Sequence, residues 1–209
     1  MAEAGAWPSI REHGLCSTEA LLDLFGIDGK QRTLLLETRR PRIVAIEHPA
    51  YGTAQIRDNK PLKDSVLEKC LNDMTVPEWY AHLNSRVFFW VTEKRLADLL
   101  SARAYRNRAH DVITVDTRRL LDSHLANVTL ASFNTGSTIY ASNAPARGSE
   151  TFQSVAAYNA DSTRTGRLRR PVIELTVSYA IPNIEDVAVR AERREHDRSS
   201  TPLWLRPEP

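Results

Sequence analysis

The segment RRPVIELTV, Arg169 to Val177, sets one carboxylate, Glu174, inside a short apolar run. On a strand, Glu174 shares a face with Val172 and Thr176, while Ile173, Leu175 and Val177 form an apolar face opposite. That pattern allows two readings. One is a solvent-facing side chain. The other is a catalytic carboxylate at the edge of a nucleotide cleft, where it can bind a sugar hydroxyl or stabilise an oxocarbenium-like centre. A second grouping is RVFFWV, Arg86 to Val91. Phe88 and Trp90 fall on one face and Val87, Phe89 and Val91 on the other. This is either a plain core strand or an aromatic wall for a flat ligand ring. Arg86 stands at the strand mouth, and Arg103, Arg106 and Arg108 follow the next helix. Their guanidinium forks suit phosphate oxygens; a solvated arginine face is the alternative.

Two loops add anion-binding chemistry. SFNTGSTIYA, Ser132 to Ala141, joins Asn134, Thr135 and Gly136 to further small hydroxyls. Such a loop can turn backbone N–H groups toward an anion, but it lacks Walker or Rossmann spacing and also reads as a plain turn. DSTRTGRLRR, Asp161 to Arg170, offers an electrostatic footing for nucleic acid or a pyrophosphate, or simply a basic loop. Metal and triad chemistry find no support in spacing. The six histidines are scattered, with no HxxxH, CxxC or GxSxG pattern.

Composition narrows the setting. Lys+Arg 28 against Asp+Glu 26 leaves a net charge of +2, too small to mark a nucleic-acid binder by bulk charge. With 209 residues there is chain enough for a core without staples, so Cys16 and Cys70 are expected as reduced thiols. No apolar stretch reaches 18 residues and no signal-peptide plan opens the chain, so a cytoplasmic setting is expected.

The elements that must position these residues are read from caps and periodicity. Helices are expected from Trp7 with Pro8 in the first turn, stopping at Gly14, and from a Ser17 or Thr18 cap to Gly26. Others are expected over residues 31–40, 60–73, 75–84 with a Thr75 cap, 92–107 with a Thr92 cap, and 118–125. Strands are expected at 42–48, 86–91, 110–117, 127–134 and 171–182, with a final short one in 184–192. The fold class is α+β, because helices dominate the first half and strands the second. The expected organisation is one domain over residues 1–189 and a mobile charged tail over 190–209, docking through Trp204 if at all.

Three stretches, AWPSIREHGLCSTEALLD, RVFFWV and RPVIELTVSYAIPNIEDV, resemble the bacterial ADP-ribosyltransferase-like families, nearest to DarT-type nucleic-acid ADP-ribosyltransferases. They also look like an uncharacterised bacterial family, a domain of unknown function. Trp7, Pro8, Ser9, Ile10, Gly14 and Leu15 match an N-terminal helix and turn. Arg86 with Phe88 and Phe89 is similar to the middle arginine and its aromatic strand. Glu174 with Leu175, Val177, Ile181 and Pro182 is similar to the late strand that carries the catalytic glutamate. The resemblance implies a split mixed sheet with N-terminal helices and a cleft for NAD, with DNA or RNA as acceptor. It implies that Arg86 holds phosphates and that Phe88, Phe89 and Trp90 pack near the nicotinamide. Arg103, Arg106, Asn134 and Thr135 would complete the cofactor site, and Glu174 would position the nucleophile and favour loss of nicotinamide. The family's early histidine is expected just before AEAGAWPSI, so that it either lies upstream of Met1 or is absent, and its middle-strand tyrosine is replaced by Phe88, Phe89 and Trp90. These departures keep two alternatives open: a catalytically degenerate nucleotide- or nucleic-acid-binding module, and an RNA 2′-phosphotransferase-like enzyme using Arg86 with Arg103 or Arg106.

Overall fold

The structure is a computed structural model that describes residues 1–139, 141–164, 171–197 and 199–207. Along the chain come β1 (Ala2–Glu3), α1 (Trp7–His13), β2 (Leu15–Cys16), α2 (Thr18–Leu24) and α3 (Gly29–Glu37). A hairpin follows, β3 (Val44–His48) and β4 (Gly52–Ile56), then α4 (Asp64–Cys70), α5 (Val76–Asn84) and β5 (Arg86–Trp90). Next are α6 (Glu93–Leu100), β6 (His110–Val115), α7 (Thr117–His124), β7 (Val128–Ala131), β8 (Gln153–Ser154) and α8 (Val155–Arg164). The chain then forms β9 (Glu174–Ser178), β10 (Ala180–Ile181), α9 (Ile184–Val187), β11 (Ala188–Arg194) and β12 (Ser200–Leu205). The class is α+β. The described pairings β1–β6, β6–β11, β11–β12, β3–β4, β7–β8 and β7–β9 are all antiparallel.

Several expectations change. Helices and strands are spread over both halves rather than segregated. The Thr92-capped helix ends at Leu100, and residues 101–107 turn instead. Residues 184–192 split into α9 and the start of β11. The hairpin partner β4 and helix α8 are elements beyond those expected from caps and periodicity. Residues Asp161–Arg164 of the basic loop belong to α8, and 165–170 lie outside the described residues. Residues assigned to the charged tail instead supply most of β11 and all of β12. The reason is non-local: Ala188, Ala191 and Glu192 are buried against neighbouring strands, although the sequence around them is charged.

The chain divides into two compact units. The first comprises 1–16, 90–125 and 181–209 and is built on a sheet of order β1-β6-β11-β12. Its α1 has no side-chain cap of its own. The buried carboxylate of Asp111 takes that place, accepting the N–H groups of Gly5 at 2.9 Å and Trp7 at 3.1 Å. Arg193 Nε donates to the same carboxylate at 2.9 Å. Gly14 ends α1 at φ 86, and a Cβ there would sit 2.7 Å from Pro182 Cα. The HGL turn is therefore a packing requirement. Trp204 docks its ring 5.4 Å from that of Trp7.

The second unit comprises 17–89 and 126–180. It holds the β3–β4 hairpin and a four-stranded sheet of order β5-β9-β7-β8. One core cluster joins Leu22, Phe25, Leu35, Leu36, Ile46 and Ile56; another joins Leu62, Leu67, Trp79, Tyr80, Leu83 and Phe152. The buried Arg40 guanidinium ties α3 to α5. It donates to the Leu35 carbonyl and, at 2.7 Å, to Asn84 Oδ1. Asn84 Nδ2 in turn donates to Leu36 O at 2.7 Å. Ser17 caps α2, and Thr75 and Glu78 form a reciprocal capping box that fixes the start of α5.

Candidate functional site

Glu174 opens β9, which lies between β5 and β7 with Ala131 of β7 opposite it. A strand in that place is covered on both faces. Ile173, Leu175 and Val177 are buried, and so are Glu174, at 4% exposure, and Thr176. The solvent-facing reading of Glu174 is thereby overturned. A carboxylate this deep needs donors or positive charge. Thr135 supplies two donors to Glu174 Oε2: its hydroxyl at 2.7 Å and its backbone N–H at 3.2 Å.

Positive charge comes from a residue the sequence did not single out. Arg147 is 1% exposed, and its Nη1 donates to the Thr135 carbonyl at 3.1 Å and the Ser137 carbonyl at 3.4 Å. Burial lowers its pKa, whereas Cys70 and Glu174 act to raise it. Its guanidinium lies over two rings, 5.2 Å from Phe133 and 5.8 Å from Trp79. The Trp79 ring stacks 6.1 Å from Phe152.

Phe152 carries the Arg86 end of the site. Arg86 Cζ lies 4.6 Å above its ring, Phe88 meets it edge-on at 5.9 Å, and His82 packs at 5.3 Å. Phe88 remains 37% exposed. Arg86 Nη1 donates to the His82 carbonyl at 2.8 Å and to Ser85 Oγ at 3.0 Å, and burial lowers its pKa. The same nitrogen faces His82 Nδ1 at 3.4 Å. An arginine has no lone pair to offer, so Nδ1 accepts and the imidazole proton sits on Nε2. Burial first, then the Arg86 cation, push the His82 pKa down to about 4, against a weaker upward pull from Asp73. His82 is therefore neutral near pH 7.

These contacts make one continuous cluster: Glu174, Thr135, Arg147, Trp79, Phe152, then Arg86, Phe88 and His82. Four buried donors in it have no hydrogen-bond partner among the described residues: Trp79 Nε1, His82 Nε2, Arg86 Nε and Arg147 Nη2. The Tyr179 N–H donates to Ser85 O at 2.7 Å, which sets the start of β5 beside the end of β9. Glu174 is thus about 13 Å along β9 from the Arg86 end.

The expected residues distribute as follows. Glu174 and Thr135 touch, and Arg86 and Phe88 share the Phe152 ring. Phe89 and Trp90 are half-buried, and Asn134 is exposed beside Thr135. Arg103 and Arg106 are exposed and belong to the first unit. The arginine linked to Glu174, through Thr135, is Arg147, while Arg86 contacts His82, Ser85 and Phe152. Among the described residues no group of three or more His, Cys, Asp or Glu could hold a metal ion, and no helix is long and apolar enough to cross a membrane.

No curated protein and no solved structure matches the chain. The model of a family of unknown function, DUF7002, matches residues 1–188, and the chain belongs to that family.

Proposed function

We propose that the protein is an NAD-dependent ADP-ribosyltransferase with DNA or RNA as the acceptor. The fold reading that accompanies this is an ADP-ribosyltransferase-like one. The observation that carries the proposal is the buried Glu174 carboxylate on a central strand, gripped by Thr135 and linked through it to Arg147. A strand side chain this costly to bury is retained where charge has to be held in place. The donor set suits an NAD-type ligand. Arg86 Nε, His82 Nε2 and Arg147 Nη2 lack acceptors among the described residues, and phosphate and ribose oxygens are acceptors. When bound, NAD supplies the labile bond between ribose and nicotinamide. Arg86 binds its phosphates, Phe88 offers a ring face, and Glu174 orients the acceptor and stabilises positive charge on the ribose. The test is transfer of label from NAD to DNA, RNA or lysate protein by the wild type and by Glu174→Gln. The proposal requires labelling by the wild type and its loss, by a factor of about 100 or more, in the variant. Equal labelling by both would remove Glu174 from the reaction.

One observation favours a second reading, a nucleotide-binding module without turnover. Arg86 Nη1 is already engaged by the end of the preceding helix, α5, through His82 O and Ser85 Oγ. A thermal shift with NAD but no label transfer under any acceptor condition supports that reading instead.

A further inference from the structure

We propose that Arg147 is the positioning residue of the Glu174 site, holding the Asn134–Thr138 loop by its carbonyls and placing positive charge behind the Thr135 donors of the carboxylate. The inference rests on Glu174 being the working carboxylate of the proposed function. Nothing in the sequence motifs assigns Arg147 a role.

Three observations carry it. First, Thr135 bridges the two groups: its carbonyl accepts from Arg147, and its N–H and hydroxyl donate to Glu174. A shift of the guanidinium therefore moves the donors of the carboxylate. Second, Arg147 grips alternate carbonyls, Thr135 and Ser137. Thr138, next in line, is held from the other side: its N–H donates to Pro61 O at 3.1 Å, and its hydroxyl accepts the Lys63 N–H at 2.9 Å. The loop is clamped at both ends, leaving Asn134 exposed at its start. Third, Arg147 is itself fixed. Its backbone N–H donates to Cys70 O at 2.8 Å, its carbonyl accepts the Asn72 N–H at 2.9 Å, and Phe133 and Trp79 flank the guanidinium. The guanidinium is thereby held out of solvent, with Arg147 1% exposed.

Around Arg147 stand Cys70 of α4, whose carbonyl accepts its backbone N–H, the Trp79 ring of α5, the Phe133 ring of the loop entry, and Glu174 of β9, reached through Thr135. Glu174 is the carboxylate among them. Its carboxyl faces Thr135, with Ala131 of β7 as the strand neighbour. A nearby cation in a poorly solvated site favours the ionised carboxylate, so removing the cation raises the pH at which Glu174 titrates.

The test is a carbon-detected NMR titration of the Glu174 carboxyl in the wild type, Arg147→Lys and Arg147→Met, with circular dichroism as the check on folding. Arg147→Met is expected to move the midpoint up by at least one pH unit, a tenfold change in the protonation equilibrium. Arg147→Lys keeps the charge and is expected to stay within about half a unit of the wild type. The same midpoint in folded Arg147→Met overturns the proposal. A second measurement needs no arginine variant. In the wild type, the Arg147 guanidinium resonances are expected to move with the Glu174 midpoint and to lose that step in Glu174→Gln. Arg147 resonances that stay flat through the midpoint also overturn it. Neither readout uses NAD, so a failed label transfer and a failed coupling are separate results.

Discussion

At the scale of single residues, His82 shows how neighbours set a charge. Its pKa is pushed down to about 4 from an ordinary 6.5, by burial and by Arg86. As pH falls, the unfolded chain therefore takes up this proton first. The stability from keeping His82 neutral is complete above about pH 6.5 and is lost as pH drops toward 4. Urea midpoints at pH 7.5, 6 and 5 are expected to fall less steeply in His82→Gln than in the wild type. Parallel slopes would mean that His82 is not held neutral by the fold. At this scale the sequence was half legible. The type and position of Glu174 marked it out, and Thr135 stood in a loop suspected of binding. The burial of Glu174 could not be read, because alternation along β9 does not reveal that the strand is covered on both faces. Arg147 was hidden for a similar reason. It sits in a segment with no periodicity, and no local pattern names the Thr135 and Ser137 carbonyls that its guanidinium holds.

At the scale of elements, the sequence marks helix starts where caps exist, at Ser17, Thr75 and Thr92. The Thr75–Glu78 capping box starts the helix that carries Trp79 and His82. Thr75→Ala is expected to cost about 1 kcal/mol in urea unfolding, the usual value of such a cap. A cost near zero would mean the start of α5 is held by packing alone. The HGL turn makes a sharper case. Gly14→Ala puts a side chain on a residue at φ 86 and drives Cβ to 2.7 Å from Pro182 Cα and 2.8 Å from Ile181 O. Strain and overlap together are expected to cost about 2 kcal/mol or more, read as a lower Tm. An unchanged Tm would contradict the close approach. Other elements lack such signals. β4 carries Gly52, Ala54 and Gln55, poor strand formers that pair because β3 lies opposite.

At the scale of the whole molecule, the α+β class was legible, while the division into two units was not. The first unit is assembled from three separated stretches of chain, which no local pattern announces. The same non-locality explains the tail. The family match ends at residue 188, yet β11 and β12 continue to Leu205, and Trp204 covers Trp7. A chain ending at residue 195 lacks β12 and leaves the β11 edge unpaired. It is expected to show a lower Tm and red-shifted tryptophan emission as Trp7, 3% exposed, meets solvent. Emission and Tm equal to the full chain would contradict a structural role for these residues.

The central claim is that the Glu174 carboxylate drives cleavage between ribose and nicotinamide, and nicotinamide release from NAD tests it without knowledge of the acceptor. Proton NMR of NAD with the full chain is expected to show slow nicotinamide release by the wild type, falling by a factor of about 100 or more in Glu174→Gln. Release at the same rate in both proteins, or NAD binding with no release by the wild type, would contradict it.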